Sequence, residues 1–194
     1  MTLLDHLAYE AAWLAFGGFH SLTAGASART GLGRWFGRAH RLAYNAIAIG
    51  QLAGVLALGH WLADGGGEVW HVPPLVQAVQ YIMLGIGLVL GLAALKSYRS
   101  GPFIGWSQLA GEEDSTQPLV IDGLHKRVRH PLYSALLLLL WGAARSELTF
   151  ATAVWASLYL LVGSMFEERR LEQRYGETYR AYRRRTPRFL PRIV

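Results

Sequence analysis

Residues 69–95 read VWHVPPLVQAVQYIMLGIGLVLGLAAL and contain no Asp, Glu, Lys or Arg. A helix that crosses a membrane needs about 20 mostly apolar residues, so this stretch is long enough to form one. Four other stretches also lack all four charged residue types: 11–28, 42–63, 130–144 and 148–166. The stretch 130–144 is shorter, but residues 145–147 alone separate it from 148–166, and we interpret the two as a tight helical hairpin. The sequence therefore predicts five membrane-spanning helices.

The composition of the whole chain agrees with a membrane protein. Its 194 residues are 52% hydrophobic and 16% charged, whereas soluble domains have about 25% charged residues. The predicted fold is an all-α polytopic membrane bundle in a single domain, residues 1–194, with a soluble helical protein as the alternative. We place its spans at about 7–25, 41–63, 75–96, 131–144 and 148–166. The absence of cysteine excludes thiolate metal sites and a cysteine nucleophile.

The net charge of +6 is distributed in a way that indicates membrane sidedness and no nucleic-acid partner. Segments 29–41 and 96–129 and the tail from Glu167 onward hold 18 of the 19 Lys and Arg residues. Lys and Arg are retained on the cytoplasmic side of membrane proteins. With five spans, all three segments lie on one side, which predicts an outside N-terminus and a cytoplasmic C-terminus.

Two cytoplasmic segments do not span the membrane. Residues 97–130 form a long predicted loop, and long loops in compact proteins are usually functional. Residues 167–185 are predicted to form an amphipathic helix, because apolar and tyrosine side chains recur on one stripe with arginines around the rest. Such a helix either lies on the membrane or caps the cytoplasmic mouth of the bundle.

A polar cluster precedes the fourth span. Pro131 is compatible with the first helical turn, which places His130 at a helix N-terminus, where an anion is favoured. Arg129 adds a group that binds carboxylate or phosphate with two hydrogen bonds, and Tyr133 follows one turn later. The alternative is a set of membrane-edge anchors that contact lipid headgroups.

Two acidic residues, Glu167 and Glu168, follow the last apolar residue of the fifth span. Adjacent carboxylates at a helix end repel each other unless positive groups meet them. The predicted hairpin brings the start of the fourth span and the end of the fifth to the same side, so we expect Arg129, His130 and Glu167 to be neighbours. The alternative is that these acids pair with arginines on their own helix.

A weaker polar set lies near the inner ends of the first two spans. His20 with Ser21, and Tyr44 with Asn45, need polar partners inside a membrane protein. These residues either contact a substrate or form hydrogen bonds that hold the two helices together. The seven histidines show no pair at metal-ligand spacing, and we expect no metal site.

Several of these motifs together resemble a known superfamily. The quoted elements are Arg129-His-Pro-Leu-Tyr133, Glu167-Glu168-Arg-Arg-Leu171, Tyr175-Gly176, Tyr179, Tyr182 and Thr186-Pro187-Arg188-Phe-Leu-Pro191. In this order they resemble the C-terminal signature of the isoprenylcysteine carboxyl methyltransferase and phospholipid methyltransferase superfamily. The first half, with Gly18-Phe-His20-Ser-Leu22, Arg41-Leu-Ala-Tyr44-Asn45 and Phe103-Ile-Gly105-Trp-Ser-Gln108, is more similar to its bacterial NnrU-like and methanethiol S-methyltransferase branch.

The resemblance implies a multi-pass enzyme of the cell membrane, the inner membrane in bacteria, that binds S-adenosylmethionine from the cytoplasm. At matching positions, the cofactor pocket would be lined by His130, Pro131, Tyr133, Glu167 and Glu168. Arg129 and Glu167 would flank the acceptor as catalytic residues. The family commonly has glycine after the motif tyrosine, and this chain has Ser134 and Ala135. The candidate substrate-contacting residues are His20, Tyr44, Asn45, Gln108 and Arg188.

The expected acceptor is a small or lipid-soluble thiol that enters from the bilayer. An isoprenylcysteine carboxylate and a phospholipid amine are the alternative acceptors. An NADPH-dependent reductase is a second enzyme class, since sterol reductases share a related C-terminal architecture but have many more spans. The non-enzymatic alternative is an NnrU-like membrane protein of nitrogen-oxide metabolism.

Overall fold

The computed structural model describes residues 1–23, 26–97 and 118–192, in which helices joined by short connections are present and no β-strand occurs. The predicted all-α class is confirmed for these residues. Short 3-10 turns cover Gly37–Ala39 and Gly123–Lys126. The helices are α1 (Leu3–Thr23), α2 (Ala26–Phe36), α3 (His40–Leu62), α4 (Pro74–Ser97), α5 (Pro131–Gly142), α6 (Glu147–Tyr175) and α7 (Glu177–Arg185).

Three helical segments of the described chain are long and apolar enough to cross a membrane. They are Gly31–Leu62, Pro74–Lys96 and Glu147–Tyr175. The last has 29 residues, which at 1.5 Å per residue is about 43 Å and exceeds the roughly 30 Å hydrocarbon core. Its charged end from Glu167 therefore extends beyond an apolar segment that ends at Phe166.

The first and fourth predicted spans are helical but are not among these three segments. α1 carries Asp5 and Glu10 in addition to two histidines, which lowers its mean hydropathy. α5 has only 12 residues, or about 18 Å of helix. The count of five spans and their orientation stay predictions.

The described residues pack as two compact units. The first contains residues 1–68 and 146–148, and in it α1 packs against α3. The aromatic residues Tyr9, Trp13 and Phe16 form the buried face of α1. Gly59 of α3 permits the close approach, because a Cβ there would lie 2.6 Å from a ring carbon of Tyr9.

The second unit contains residues 69–97, 118–145 and 149–192, and α4 packs against α5 in it. Two glycines allow the two backbones to approach closely. A Cβ on Gly87 would lie 3.1 Å from the Ala135 carbonyl oxygen. A Cβ on Gly142 would lie 2.9 Å from the Gln80 carbonyl oxygen and 2.8 Å from Leu84. This contact holds α5 in place and therefore positions the residues at its start.

The tail differs from the predicted single helix over 167–185. α6 continues without interruption to Tyr175, and a second helix, α7, begins at Glu177. The break lies at Gly176, whose φ of 55° is in the region that glycine adopts at little cost. The sequence pattern missed this break because the tyrosine stripe continues across it. Residues 98–117 of the predicted loop 97–130 lie outside the described residues.

The close contact at Gly142 makes a testable prediction. In Gly142→Ala the added methyl group meets backbone atoms of α4, so we expect a loss of about 1–3 kcal/mol of stability. In Gly163→Ala, on α6, the methyl group has open space around it. The control should keep or slightly raise stability, because alanine favours helix. The measurement is the thermal unfolding midpoint in detergent, and equal midpoints for the two variants would contradict the described packing.

Candidate functional site

The start of α5 determines the geometry of the candidate site. Pro131 occupies the first helical turn, and His130 before it has a non-helical backbone with φ of −125° and ψ of 67°, in keeping with the steric bias of proline against the helical conformation in the preceding residue. The amide of Arg129 donates to the Pro187 carbonyl at 2.9 Å, and the amide of His130 donates to the Arg188 carbonyl at 3.1 Å. The tail therefore returns to the beginning of α5.

Glu168, near the C-terminal end of α6, is the centre of a buried polar network. Its side chain is only 3% exposed and accepts hydrogen bonds from three basic residues. Arg129 donates to Oε1 from Nε at 3.0 Å and from Nη2 at 2.7 Å. Arg188 donates from Nε at 3.0 Å and from Nη2 at 2.9 Å. His130 Nε2 lies 3.1 Å from Oε1. We call these four residues the Glu168 cluster.

The charge state of Glu168 follows from these contacts. It lies beyond the apolar segment of α6, so its environment is set by protein groups. Burial acts to raise the pKa of the Glu168 carboxyl, but hydrogen bonds from His130, Arg188 and Arg129 hold that pKa well below its usual range. The carboxylate is therefore ionised and neutralises the basic groups around it.

Arg129 is fully engaged in this network. Its side chain is 9% exposed, and its Nη1 donates to the carbonyls of Thr186 at 2.5 Å and Arg183 at 3.2 Å. Its acidic partner in the cluster is Glu168, the residue next to Glu167, which the sequence analysis expects to be a neighbour of Arg129 and His130. The guanidinium therefore joins α5, α6 and the tail to one another.

Glu167 is in a different environment. Its side chain is 43% exposed, and its Oε2 accepts a hydrogen bond from the Tyr133 hydroxyl at 3.1 Å. The same oxygen lies 3.6 Å from His130 Nδ1. The rings of His130 and Tyr133 stack, with centroids 5.2 Å apart and planes inclined by 13°. His130 thus lies between a buried and an accessible carboxylate.

Residues 186–189 form a segment that we call the strap. All four of its carbonyl groups accept hydrogen bonds from Arg129, His130 or Ser134. The buried hydroxyl of Ser134 donates to the Phe189 carbonyl at 2.7 Å and also contacts the His130 carbonyl at 3.0 Å. Sequence reasoning gave Ser134 no role, although a serine inside the apolar run after Pro131 is the signal that could have identified it.

α7 covers this network with its aromatic face, which supports the capping alternative for the tail helix. Tyr179 is buried, and burial together with the nearby charge of Glu168 raises the pKa of its hydroxyl to about 12. The Tyr182 hydroxyl donates to the His125 carbonyl at 2.6 Å. Arg180, Arg183 and Arg184 of α7 pair instead with Glu172 and Glu177 on the exposed side.

Four further candidate residues, His20, Tyr44, Asn45 and Gln108, do not belong to the described part of the second unit. In the first unit the Tyr44 hydroxyl lies 2.8 Å from His20 Nε2, and Asn45 is the next residue of α3. Their substrate role stays a prediction. Gln108 lies outside the described residues. No group of three or more His, Cys, Asp or Glu side chains in the described ranges is arranged to hold a metal ion.

Proteins named methanethiol S-methyltransferase are similar to this chain. The one from Crocosphaera subtropica is 31% identical over 155 residues, which are 76% of this chain and 60% of that relative. The chain is a homologue of methanethiol S-methyltransferases. Methanethiol S-methyltransferase 2 of Bradyrhizobium diazoefficiens is 43% identical over 86 residues, 43% of this chain and 32% of the relative. The Pseudomonas deceptionensis protein is 37% identical over 73 residues, 36% of this chain and 27% of the relative.

This homology confirms the resemblance predicted from the motifs. The matches cover 27% to 60% of the length of these three relatives. No family model and no solved structure matches the chain. Together with the three long apolar helices, the homology supports a membrane protein.

The Glu168 cluster makes a testable prediction. Glu168→Gln leaves buried basic groups without their counter-charge, so we expect a loss of about 3 kcal/mol of stability and release of the strap. Glu172→Gln is the matched control, because Glu172 pairs with the exposed Arg180 and Arg183, and exposed ion pairs contribute little. The measurements are thermal unfolding in detergent and the rate of trypsin cleavage after Arg185 and Arg188. Equal cleavage rates in the two variants would refute the central role of Glu168.

Proposed function

We propose that this protein is a membrane methyltransferase that uses S-adenosylmethionine to methylate a small or lipid-soluble thiol. The observation that carries this proposal is the similarity to methanethiol S-methyltransferases, which extends over 76% of the chain in one relative. The described polar residues support it, because they combine buried basic groups with one accessible carboxylate. The proposal extends to a multi-pass bundle of five spans in the cell membrane with the site on the cytoplasmic side.

The charges of the site fit the charges of S-adenosylmethionine. That molecule carries a carboxylate, an ammonium group and a sulfonium group. Glu167 is exposed and makes hydrogen-bond contacts through one oxygen, so it is available to bind a cation. Arg188 is 32% exposed and is available to bind a carboxylate. The partly exposed ring of Tyr133, which stacks on the buried ring of His130, supplies an aromatic surface beside Glu167.

The buried residues have a supporting role in this proposal. Pro131 and Glu168 are almost fully buried, so they hold His130 and Arg188 in place. The sequence assigned Arg129 a direct role next to the acceptor. Because its guanidinium is engaged with Glu168 and the tail, we propose that Arg129 is a positioning residue and that Glu167 remains the candidate catalytic residue.

The proposed methyl transfer requires the protein mainly to orient the reactants and to exclude water. When bound, S-adenosylmethionine supplies an electrophilic methyl group. The protein contributes orientation and the exclusion of water, which are the main requirements of an in-line displacement. Glu167 stabilises positive charge on the accessible side of the site, and the Glu168 cluster fixes the surrounding side chains. A thiol acceptor that partitions into lipid reaches such a site from the bilayer.

Methyl transfer is tested with purified protein, S-adenosylmethionine labelled in the methyl group, and three acceptors: methanethiol, a prenylcysteine and phosphatidylethanolamine. We expect labelled dimethyl sulfide from the wild-type protein, and about 100-fold lower rates in His130→Ala and Glu167→Gln. Glu172→Gln should retain the wild-type rate. Transfer to phosphatidylethanolamine or the prenylcysteine alone would refute the thiol preference.

Cofactor binding is measured separately by calorimetric titration with S-adenosylhomocysteine. Binding by the wild-type protein and its loss in Glu167→Gln are the expected results. A wild-type protein that binds NADPH and not S-adenosylhomocysteine would favour the reductase alternative. A protein that binds neither would favour an NnrU-like protein without enzymatic activity.

The proposed topology is tested with single cysteines, because the chain contains none of its own. In spheroplasts, a membrane-impermeant maleimide should label cysteine at Thr2 and Glu68. Cysteine at Arg34, Asp122 and Arg184 should react only after lysis. Labelling of the Arg34 variant before lysis would refute the predicted first span, and the reverse pattern at every position would reverse the orientation.

A further inference from the structure

The connection between α1 and α3 in the first unit is basic and exposed. It consists of α2 and the 3-10 turn Gly37–Ala39, and α2 packs against α3 and also contacts α1. Trp35 is 88% exposed, more than any other large apolar side chain in the described ranges. Its neighbours in the chain are exposed as well. We call the five exposed residues Arg34, Trp35, Phe36, Gly37 and Arg38 the α2 corner.

Contacts between α1 and α3 show where the α2 corner lies. The two helices are antiparallel, because Tyr9 lies against Gly59 towards one end of the pair, whereas the Tyr44 hydroxyl lies 2.8 Å from His20 Nε2 towards the other end. α2 follows α1 and precedes α3 in the chain. The α2 corner is therefore at the end of the helix pair that carries His20 and Tyr44.

The depth of the α2 corner follows from the apolar segment after it. Residues 42–62 of α3 contain no Asp, Glu, Lys or Arg. At 1.5 Å per residue this segment is about 31 Å long, which matches the roughly 30 Å hydrocarbon core of a bilayer. The helical path breaks just before it, at Gly37 with φ of 53°, a conformation that glycine adopts at little cost. Residues 34–38 therefore lie at the level of the lipid headgroups.

The positive charge of the α2 corner is not offset by acidic neighbours. Residues 11–63 contain no Asp or Glu, and neither Arg34 nor Arg38 forms an ion pair within the described part of the chain. An arginine near an anionic bilayer surface contributes about 1 kcal/mol to binding, and tryptophan is enriched at headgroup depth. An exposed Trp35 with an arginine on either side therefore fits an anionic lipid surface.

Two other classes of partner fit this corner less well. A symmetric contact with a second copy of the chain would bring the same patch of each copy together, so that like charges would meet. A nucleic acid carries the complementary charge, but the apolar segment that begins at Leu42 keeps the corner at the membrane boundary. An anionic bilayer satisfies both the charge and the depth.

We propose that the α2 corner binds anionic phospholipid headgroups. Trp35 inserts among the headgroups, and Arg34 and Arg38 contact the lipid phosphates. In the proposed topology these lipids belong to the cytoplasmic leaflet. The contact fixes the end of the helix pair that carries His20 and Tyr44. This binding requires a bilayer but does not depend on methyl transfer, so either proposal can fail without the other.

The test uses the full chain in nanodiscs, with Trp35→Cys as its single cysteine. The cysteine carries bimane, a flat apolar fluorophore that takes the place of the indole. A nitroxide quencher is attached to the upper acyl chain of either phosphatidylglycerol or phosphatidylcholine. Both leaflets of a nanodisc have the same composition, so the result does not depend on orientation. We expect about fivefold enrichment of phosphatidylglycerol at the label, equivalent to about 1 kcal/mol, and a smaller enrichment in high salt.

A double substitution tests the arginines. Arg34→Gln with Arg38→Gln should remove the preference for phosphatidylglycerol and leave quenching by both lipids. The matched control is Arg183→Gln with Arg184→Gln, which removes the same number of charges from arginines that already pair with acids. The control should keep the preference. All proteins are compared as monodisperse fractions from size-exclusion chromatography.

Four results would overturn the proposal. The first is equal quenching by the two lipids, which is expected if the acidic residues 112–114 of the same chain neutralise the arginines. The second is quenching by neither lipid with full access of aqueous iodide, which would separate the corner from the bilayer. The third is protection from iodide only in nanodiscs that hold two chains, which would assign the corner to a second copy. The fourth is an unchanged preference in the Arg34 and Arg38 double variant.

Discussion

The candidate site depends on the hydrogen bonds that Arg129, His130 and Arg188 make with the buried carboxylate of Glu168. Removing a carboxylate from water is costly, and the cost is recovered only where several donors meet it. Here the donors are far apart in the chain: Arg129 and His130 precede α5, and Arg188 follows α7. One charge therefore fixes the relative positions of α5, α6 and the strap, and the exposed Glu167 is positioned as a result.

The residues of the site could be predicted from the sequence, but their pairing could not. The short connection at 145–147 is enough to predict that the start of α5 and the polar end of α6 are neighbours. Glu167 and Glu168 are consecutive, so they point about 100° apart around a helix. Which of the two faces the protein interior depends on the rotation of α6, and a symmetric pair of acids carries no signal for that rotation.

The strap and the helix break at Gly176 show a second limit of sequence reasoning. The strap is held through its carbonyl groups, which every residue has, so no side-chain pattern predicts where it binds. The membrane spans show the opposite situation. Absence of charge predicts the apolar helices well. However, α5 has only 12 residues and is shorter than the three candidate spans. α1 contains polar residues, and it is not among the candidate spans.

The position of the strap in the chain has a consequence for biosynthesis. Residues 186–189 are synthesised after all seven described helices, and Arg188 among them completes the neutralisation of Glu168. A nascent chain that has not reached Arg188 has helices able to enter the membrane but lacks the segment that joins α5 to the tail. The polar network is therefore completed only after Arg188 has been synthesised. A chain that ends before Arg188 leaves Glu168 with the donors Arg129 and His130 but without its contact to the strap.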